Sequence, residues 1–189
     1  MSRTFVVVTD SEKQAPPRLQ QLLSRVELHF TLGNDLSLIY SLITHLRDRL
    51  AAFGLCDETN LIRVGVALEE ALLNALYHGN LELTSEEVRK ASAELTTHGR
   101  PRSIARRQKE FPYRNRRIHV RAELSRDEAE IVIRDEGPGF DTAAHLPLVI
   151  AEDPKINSGH GLELMHAFMD EVRFNRFGNE VTLVKRRAA

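Results

Sequence analysis

Alternation of apolar and polar residues predicts strands in several parts of the chain. Residues 26–32 alternate as a half-buried strand does, and Gly33 ends the pattern. A Gly-Asn pair at 178–179 is typical of a hairpin turn, which would join the last two predicted strands. The remaining predicted strands are 118–124, 129–134, 171–177 and 181–185.

Three further segments show the spacing of apolar residues that is typical of helices. The first can be capped by Asn34 or Asp35, and Gly54 ends it. Its apolar stripe consists of Leu38, Leu42, Leu46 and Leu50. The second covers about 57–78 and is apolar on most of its surface, which predicts a buried helix. The third covers about 161–170.

Together these elements predict an α+β fold, a two-layer sandwich with helices on one face of a mostly antiparallel sheet. We assign residues 26–189 to this domain. Residues 1–25 would form an N-terminal extension with a strand at 4–8 and a short helix at 18–23. Residues from about 83 to 117 are polar, contain one glycine and two prolines and show only a weak helical pattern, so we interpret them as an insertion.

The composition limits the classes of function. The chain of 189 residues has a formal net charge of −1 and 42% apolar residues, which is typical of a globular domain and argues against bulk nucleic-acid binding. A single cysteine, Cys56, cannot form an internal disulfide. No apolar stretch is long enough for a signal peptide or a membrane span. We therefore expect a cytoplasmic protein that binds neither membranes nor nucleic acid directly.

The charge is unevenly distributed along the chain. Residues 99–121 hold nine basic residues and one acidic residue, a net +8, so the rest of the chain carries −9. The basic residues are Arg100, Arg102, Arg106, Arg107, Lys109, Arg114, Arg116, Arg117 and Arg121. A solvated helix face or a flexible loop would explain this run. Alternatively, the run docks an acidic surface of a partner or contacts phosphates.

Candidate chemistry begins on the predicted helix at 57–78. Glu70 and Asn74 lie four residues apart and share a helix face, which His78 continues. A buried carboxylate and a buried amide are costly unless polar groups meet them, and hydrated Mg²⁺ with phosphate oxygens would do so. The alternative is that one of Glu69 and Glu70 is solvated and that Asn74 bonds a neighbouring backbone group.

A second pattern follows the predicted strand at 129–134. The strand delivers Asp135 into a turn that contains Gly137 and Gly139. A carboxylate there can accept a hydrogen bond from the amino group of adenine, and glycines let the backbone approach a flat base. By itself, such a pattern is more often an ordinary turn.

A third pattern, Asn-Ser-Gly-His-Gly-Leu, occupies 157–162, where the third predicted helix begins. Free backbone N–H groups and the helix dipole favour a phosphate at such a position. The pattern lacks the Lys-Ser/Thr of a P-loop and the third glycine of a dinucleotide fingerprint, so it fits neither of those sites. Taken alone, it is also explained as a capped helix start.

In this order, the three patterns resemble those of the ATPase superfamily of gyrase, the Hsp90 chaperone, histidine kinases and the mismatch-repair MutL proteins. The runs at 70–79 and 168–172 are similar to the anti-sigma-factor serine kinases of bacteria. This resemblance covers roughly 26–186, interrupted by the predicted insertion. It implies the histidine-kinase-like ATPase fold, ATP and Mg²⁺ as cofactors and, by analogy, a homodimer.

The resemblance also implies a role for each pattern. Glu70 is similar to the general base that activates a serine hydroxyl, Asn74 to the Mg²⁺ ligand and Asp135 to the adenine-binding acid. The loop at 140–158 is similar to the mobile lid over the phosphates. The residues implied to contact the nucleotide are Asn74, His78, Asp135, Gly137, Gly139, Ser158, Gly159, His160, Gly161 and Leu162.

Two features depart from that family. Many relatives carry threonine after the glycine of the last hairpin, whereas Asn179 follows Gly178 here, which weakens the expectation of a water-mediated adenine contact. The predicted insertion is longer than the corresponding segment of short anti-sigma kinases, which points to different partner recognition. A histidine-kinase function is disfavoured because His45 lacks the proline that normally follows a phosphoacceptor histidine.

Different classes of function remain open. The first is a serine/threonine kinase that phosphorylates a small anti-sigma-factor antagonist and also sequesters a sigma factor. The second is an ATP-gated binding module that transfers no phosphate. Glu70 favours the first, because a pure binding module needs no base, although hydrolysing relatives also have a carboxylate there, so a weak ATPase is a third alternative.

Overall fold

A computed structural model describes residues 24–98, 102–142 and 161–187. The strand predicted at 4–8 and the helix predicted at 18–23 lie outside these residues. Within them, five strands form one sheet in the order β1-β2-β3-β5-β4. Every neighbouring pair is antiparallel. The strands are β1 (Arg25–Leu32), β2 (Ile118–Ser125), β3 (Glu128–Arg134), β4 (Glu171–Phe174) and β5 (Glu180–Arg186).

Helices cover one face of this sheet, which confirms the predicted α+β sandwich. They are α1 (Leu36–Phe53), α2 (Glu58–Asn74), α3 (Ser85–His98), α4 (Arg102–Arg107) and α5 (Gly161–Phe168). A π-helical turn (Ala75–Asn80) continues α2, and a 3₁₀ turn (Tyr113–Asn115) precedes β2. No helix among the described residues has the length and apolar character needed to cross a membrane.

Local capping fixes where the first two helices begin and end. The Asp35 side chain accepts a hydrogen bond from the Ser37 backbone N–H at 3.0 Å, so Asp35 is the N-cap of α1. Gly54 ends α1 in the left-handed conformation, with φ of 64°. Asp57 caps α2 by accepting from the Asn60 N–H at 2.7 Å.

The core lies between the sheet and the helix layer. Alternate residues of β2 are fully buried, whereas His119, Arg121 and Glu123 face the open side of the sheet. The largest fully buried side chains on the two layers include Leu46, Leu50, Leu68, Leu72, Ile118, Leu124, Ile131 and Ile133. This core holds α2 against the sheet, and α2 carries the first candidate motif.

The predicted stripe of α1 is wrong at its first position. Leu38 is 46% exposed, and the buried residues of the helix are Ile39, Leu42, Ile43, Leu46 and Leu50. A stripe that advances four residues at each step drifts by about 40° each time, because a helical turn holds 3.6 residues. The three steps from Leu38 to Leu50 therefore rotate by about 120° in total. Leu38 leaves the core face, and Ile39 takes the buried position instead.

The polar segment at 83–117 is more regular than its pattern indicated. It contains α3, α4 and the 3₁₀ turn, and Leu83, Ala91 and Ile104 lie in the core. Thr84 and Glu87 form reciprocal hydrogen bonds at the start of α3, a capping box. Among its described side chains, only Leu83, Ala91 and Ile104 are buried in the core, which agrees with the weak apolar period of the segment.

Three predicted elements end earlier than expected. The α-helical part of α2 stops at Asn74, and α5 stops at Phe168. Strand β4 ends at Phe174 because the next residues form the turn, in which the Gly178 N–H donates to the Asn175 carbonyl oxygen at 3.2 Å. The hairpin predicted around Gly178 and Asn179 is confirmed.

Candidate functional site

The candidate residues come together where α2 and its π turn pass the end of β3 and the start of α5. A β-carbon added to Gly79 of the π turn would overlap the Asp135 carboxyl group after β3. One added to Gly161, the first residue of α5, would overlap the Glu70 carboxylate. Segments far apart in sequence therefore meet at atomic contact through glycines.

Glu70 lies on α2 and faces α5. Its side chain is half-buried, less than the sequence pattern predicted, and among the described residues it makes no hydrogen bond or ion pair. Burial raises the pKa of this carboxyl group, and the charge of Glu69 raises it further. Burial raises the pKa of the Tyr40 hydroxyl most, and Glu69 lies close enough to Tyr40 to raise it further. The two adjacent carboxylates are thus distinct, and Glu70 is the one without a partner in the described part of the chain.

Asn74 is the last α-helical residue of α2, one turn beyond Glu70. Its amide makes no hydrogen bond to any described residue, so the alternative of a bond to a neighbouring backbone group is not observed. No group of three His, Cys, Asp or Glu side chains among the described residues could hold a metal ion. Mg²⁺ commonly uses one or two protein oxygens and completes its shell with phosphates and water. The Asn74 oxygen fits such an ion when phosphates are present.

Asp135 is the acid at the end of β3. Its side chain is 7% exposed, and its Oδ1 accepts a hydrogen bond from the Gly137 N–H at 2.8 Å. Burial raises its pKa to about 6, although hydrogen bonds from backbone N–H groups and the charges of Arg116 and Arg134 act in the opposite direction. With Oδ1 bonded to the turn, Oδ2 retains acceptor capacity for a ligand.

Gly139 and Gly178 join the turn after β3 to the last hairpin. Both have positive φ, 73° and 71°, which side chains other than glycine rarely adopt. A β-carbon on Gly139 would overlap the Phe177 carbonyl oxygen, and one on Gly178 would overlap the Phe140 carbonyl oxygen. The Phe140 N–H also donates to the Phe177 carbonyl oxygen at 3.1 Å. The pair therefore holds the turn after Asp135 against the last hairpin.

The other predicted residues divide into two groups. His78 is exposed, and its Nδ1 donates to the Leu83 carbonyl oxygen at 2.6 Å. Gly137 packs against the Gly79 carbonyl oxygen, and Leu162 packs on the core. The remaining three, Ser158, Gly159 and His160, lie outside the described residues.

Two asparagines, Asn80 and Asn179, hold the turn around Asp135, which the sequence pattern did not predict. Asn80 is completely buried, and its Oδ1 accepts from the Glu136 N–H at 2.9 Å. The Asn179 carbonyl oxygen accepts a hydrogen bond from the Asp135 N–H at 3.0 Å, and Asn179 Nδ2 lies 3.4 Å from the Asp135 carbonyl oxygen. A polar residue directly after an apolar helix was the available signal for Asn80.

Comparison with known proteins identifies the type of domain. The sequence model of a family described as the histidine kinase-like ATPase domain matches residues 34–185, a range that includes every described residue of the candidate site. A comparison with curated proteins finds no match. A domain of this type indicates ATP binding. Because the match spans most of its length, the chain belongs to the histidine kinase-like ATPase domain family.

Proposed function

We propose that the protein is a cytoplasmic, ATP- and Mg²⁺-dependent serine/threonine protein kinase of the anti-sigma-factor type. Its substrate would be a small antagonist-type protein, and its second partner a sigma factor. The family match supports ATP binding, and the resemblance of the runs at 70–79 and 168–172 supports the narrower type.

The Glu70 carboxylate, which has no hydrogen-bond or ion-pair partner among the residues that the structure describes, is the observation that carries this proposal. A general base must be ionised, within reach of the hydroxyl and not neutralised by a cation. Glu70 meets the last condition among the described residues, and burial raises its pKa toward the range in which a carboxylate is an effective base. In the proposed step, Glu70 accepts the serine proton while the serine oxygen bonds to the γ-phosphorus and ADP leaves.

The remaining residues would position the nucleotide. Asp135 would accept from the adenine amino group through Oδ2, and Asn74 would contribute its amide oxygen to Mg²⁺. Bound Mg²⁺ neutralises phosphate charge in reactions of this class. Gly161 keeps the start of α5 in contact with Glu70, which would bring the base close to the phosphates.

Glu70→Gln tests this function directly. We expect ATP affinity within about twofold of wild type and transfer reduced at least about a hundredfold, because an amide cannot accept the proton. Glu69→Gln is the matched control, since it removes the neighbouring charge and should retain transfer. Calorimetry measures ATP binding, and transfer of labelled γ-phosphate to a candidate antagonist protein measures activity.

The outcomes separate the alternatives. Retained transfer in Glu70→Gln would exclude Glu70 as the base. Phosphate release without transfer to any partner, lost in Glu70→Gln, would identify a weak ATPase. ATP binding with neither activity would identify an ATP-gated binding module.

A further inference from the structure

Asn80 and Asp135 are the two polar residues that are buried among those the structure describes. Asp135 has a proposed ligand, whereas Asn80 has none and is 0% exposed. A buried amide is costly unless its donors and acceptors are satisfied. The partners of Asn80 therefore indicate what the residue does.

Three segments bond to Asn80. Its Nδ2 donates to Asn34 Oδ1 at 2.8 Å, in the loop between β1 and α1. Its Oδ1 accepts from the Glu136 N–H at 2.9 Å, within the turn that follows Asp135. Its backbone carbonyl oxygen accepts from Arg116 Nη1 at 2.9 Å. Asn80 thus links the polar segment before β2 to the turn that carries Asp135.

Arg116 is built into this link. Its side chain is 17% exposed, it also pairs with Glu82 at 2.6 Å, and its guanidinium lies 5.2 Å from the centre of the Tyr113 ring. The Tyr113 carbonyl oxygen in turn accepts from Asn34 Nδ2 at 2.8 Å. The guanidinium also acts electrostatically on Asp135. The basic run is therefore joined to the site by two routes, through Arg116 and through Tyr113.

We propose that Asn80 and Arg116 are positioning residues through which the described part of the basic segment, residues 102–121, sets the geometry of the turn at 135–137, and with it the selectivity for adenine. The proposal rests on the function proposed above, because it takes this turn to bind the base. The Glu136 N–H is fixed by Asn80, and the Asp135 carboxyl group precedes it by one residue. A rotation of this turn would move Oδ2 away from the adenine amino group while leaving the phosphate contacts in place.

A change in nucleotide selectivity would distinguish a positioning role of Arg116 from a general effect of Arg116 on the stability of the fold. Arg116→Met removes the hydrogen-bond donors of Arg116 and keeps an apolar stem. We expect ATP affinity to fall about tenfold, because the charge-assisted hydrogen bond between Asp135 and the adenine amino group would be lost. GTP affinity should change less than about twofold. The ratio of ATP to GTP affinity, measured by calorimetry with Mg²⁺, would then fall about fivefold or more.

Arg106→Met is the matched control. Arg106 lies in the same basic segment, its side chain is 83% exposed and it pairs with Glu110. This variant removes the same charge and should keep the wild-type ratio. Arg116→Lys, which keeps the charge and a donor group but loses the planar guanidinium, should restore part of the selectivity.

Each remaining outcome is decisive. An unchanged ratio in Arg116→Met would overturn the proposal, and so would an equal loss of ATP and GTP affinity, since that indicates lost folding alone. If wild-type protein binds no ATP, or if Asp135→Asn binds ATP normally, the adenine assignment itself fails. ATP binding that depends on Asp135 but not on Arg116 overturns the coupling only.

Discussion

The buried environment of the Asp135 side chain disfavours its ionised form. Its pKa in the folded protein is about 6, against 3.8 for an exposed aspartate, because burial outweighs Arg116, Arg134 and the backbone N–H donors. Between these two pH values the folded state retains a proton that the unfolded state has lost. Folding stability therefore falls as the pH rises from about 4 to 6 and stays lowered above that range, by about 3 kcal/mol. A ligand that donates to this carboxylate would recover part of the cost.

Asp135→Asn should consequently have opposite effects on stability and on binding. Without nucleotide, we expect the variant to be more stable than wild type at pH 8, by up to about 3 kcal/mol, and nearly equal to it at pH 4. ATP affinity at pH 8 should fall about tenfold or more, because one carboxylate acceptor becomes an NH₂ donor. Urea unfolding at both pH values and calorimetry measure the two effects.

The exposed Asp48 provides the control for this substitution. Asp48→Asn removes the same charge from the surface and should change neither quantity measurably. A loss of stability in Asp135→Asn at pH 8 would contradict the burial argument. Unchanged ATP affinity would contradict the adenine assignment.

At the scale of elements, local signals predicted most of the fold. The alternation in β1, β2 and β3 and the caps Asp35 and Asp57 depend on neighbours within a few residues, so a single sequence reveals them. Helix α3, in the segment interpreted as an insertion with a weak helical pattern, was missed because it is mostly polar and buries few described residues, such as Ala91. The π turn after Asn74 has no local signature, since its wider turn brings Gly79 against Asp135, a contact between distant segments.

The contact between α2 and α5 predicts the effect of one methyl group. Gly161→Ala would place a β-carbon on the Glu70 carboxylate, so either the carboxylate or the start of α5 must move. A displacement of about 1 Å costs roughly a hundredfold in rate when it affects a reacting group. We expect a loss of that size in phosphoryl transfer, with ATP affinity changed less than about fivefold.

Gly33→Ala is the matched substitution, because a β-carbon at Gly33 meets no atom within 4 Å and its φ is not positive. It should leave transfer unchanged. Circular dichroism confirms that both variants are folded. Normal transfer in Gly161→Ala would show that Glu70 is not confined by α5 during the reaction.

At the scale of the molecule, the site depends on pairings that no single motif contains. Motif order was sufficient to predict the type of domain, and the family match agrees. The bond of Arg116 to Asn80 could not be predicted, because it joins residues 36 positions apart through a segment with a weak apolar pattern. The interpretation of the basic run changes as well, since Arg106, Arg107, Arg116 and Arg121 pair with acidic residues within the fold.

The open face of the sheet carries a connected network of ion pairs. Glu130 on β3 bonds Arg121 of β2 at 3.1 Å and Arg173 of β4 at 3.0 Å. Arg173 and Arg186 both pair with Glu171, and Arg186 extends the network to Glu128. Each pair is partly exposed and contributes little alone, but a shared carboxylate orders several side chains together.

Glu130→Gln should therefore cost more than removal of an isolated surface carboxylate. We expect the free energy of unfolding in low salt to fall by about 1 kcal/mol, against about 0.3 kcal/mol or less for Glu27→Gln, whose carboxylate pairs with His29 at the edge of the sheet. In about 1 M salt the difference should shrink, because screening weakens partly exposed pairs. Urea unfolding at both salt concentrations measures it. Equal losses in the two variants would show that Glu130 acts as two independent surface pairs, each too weak to distinguish it from Glu27.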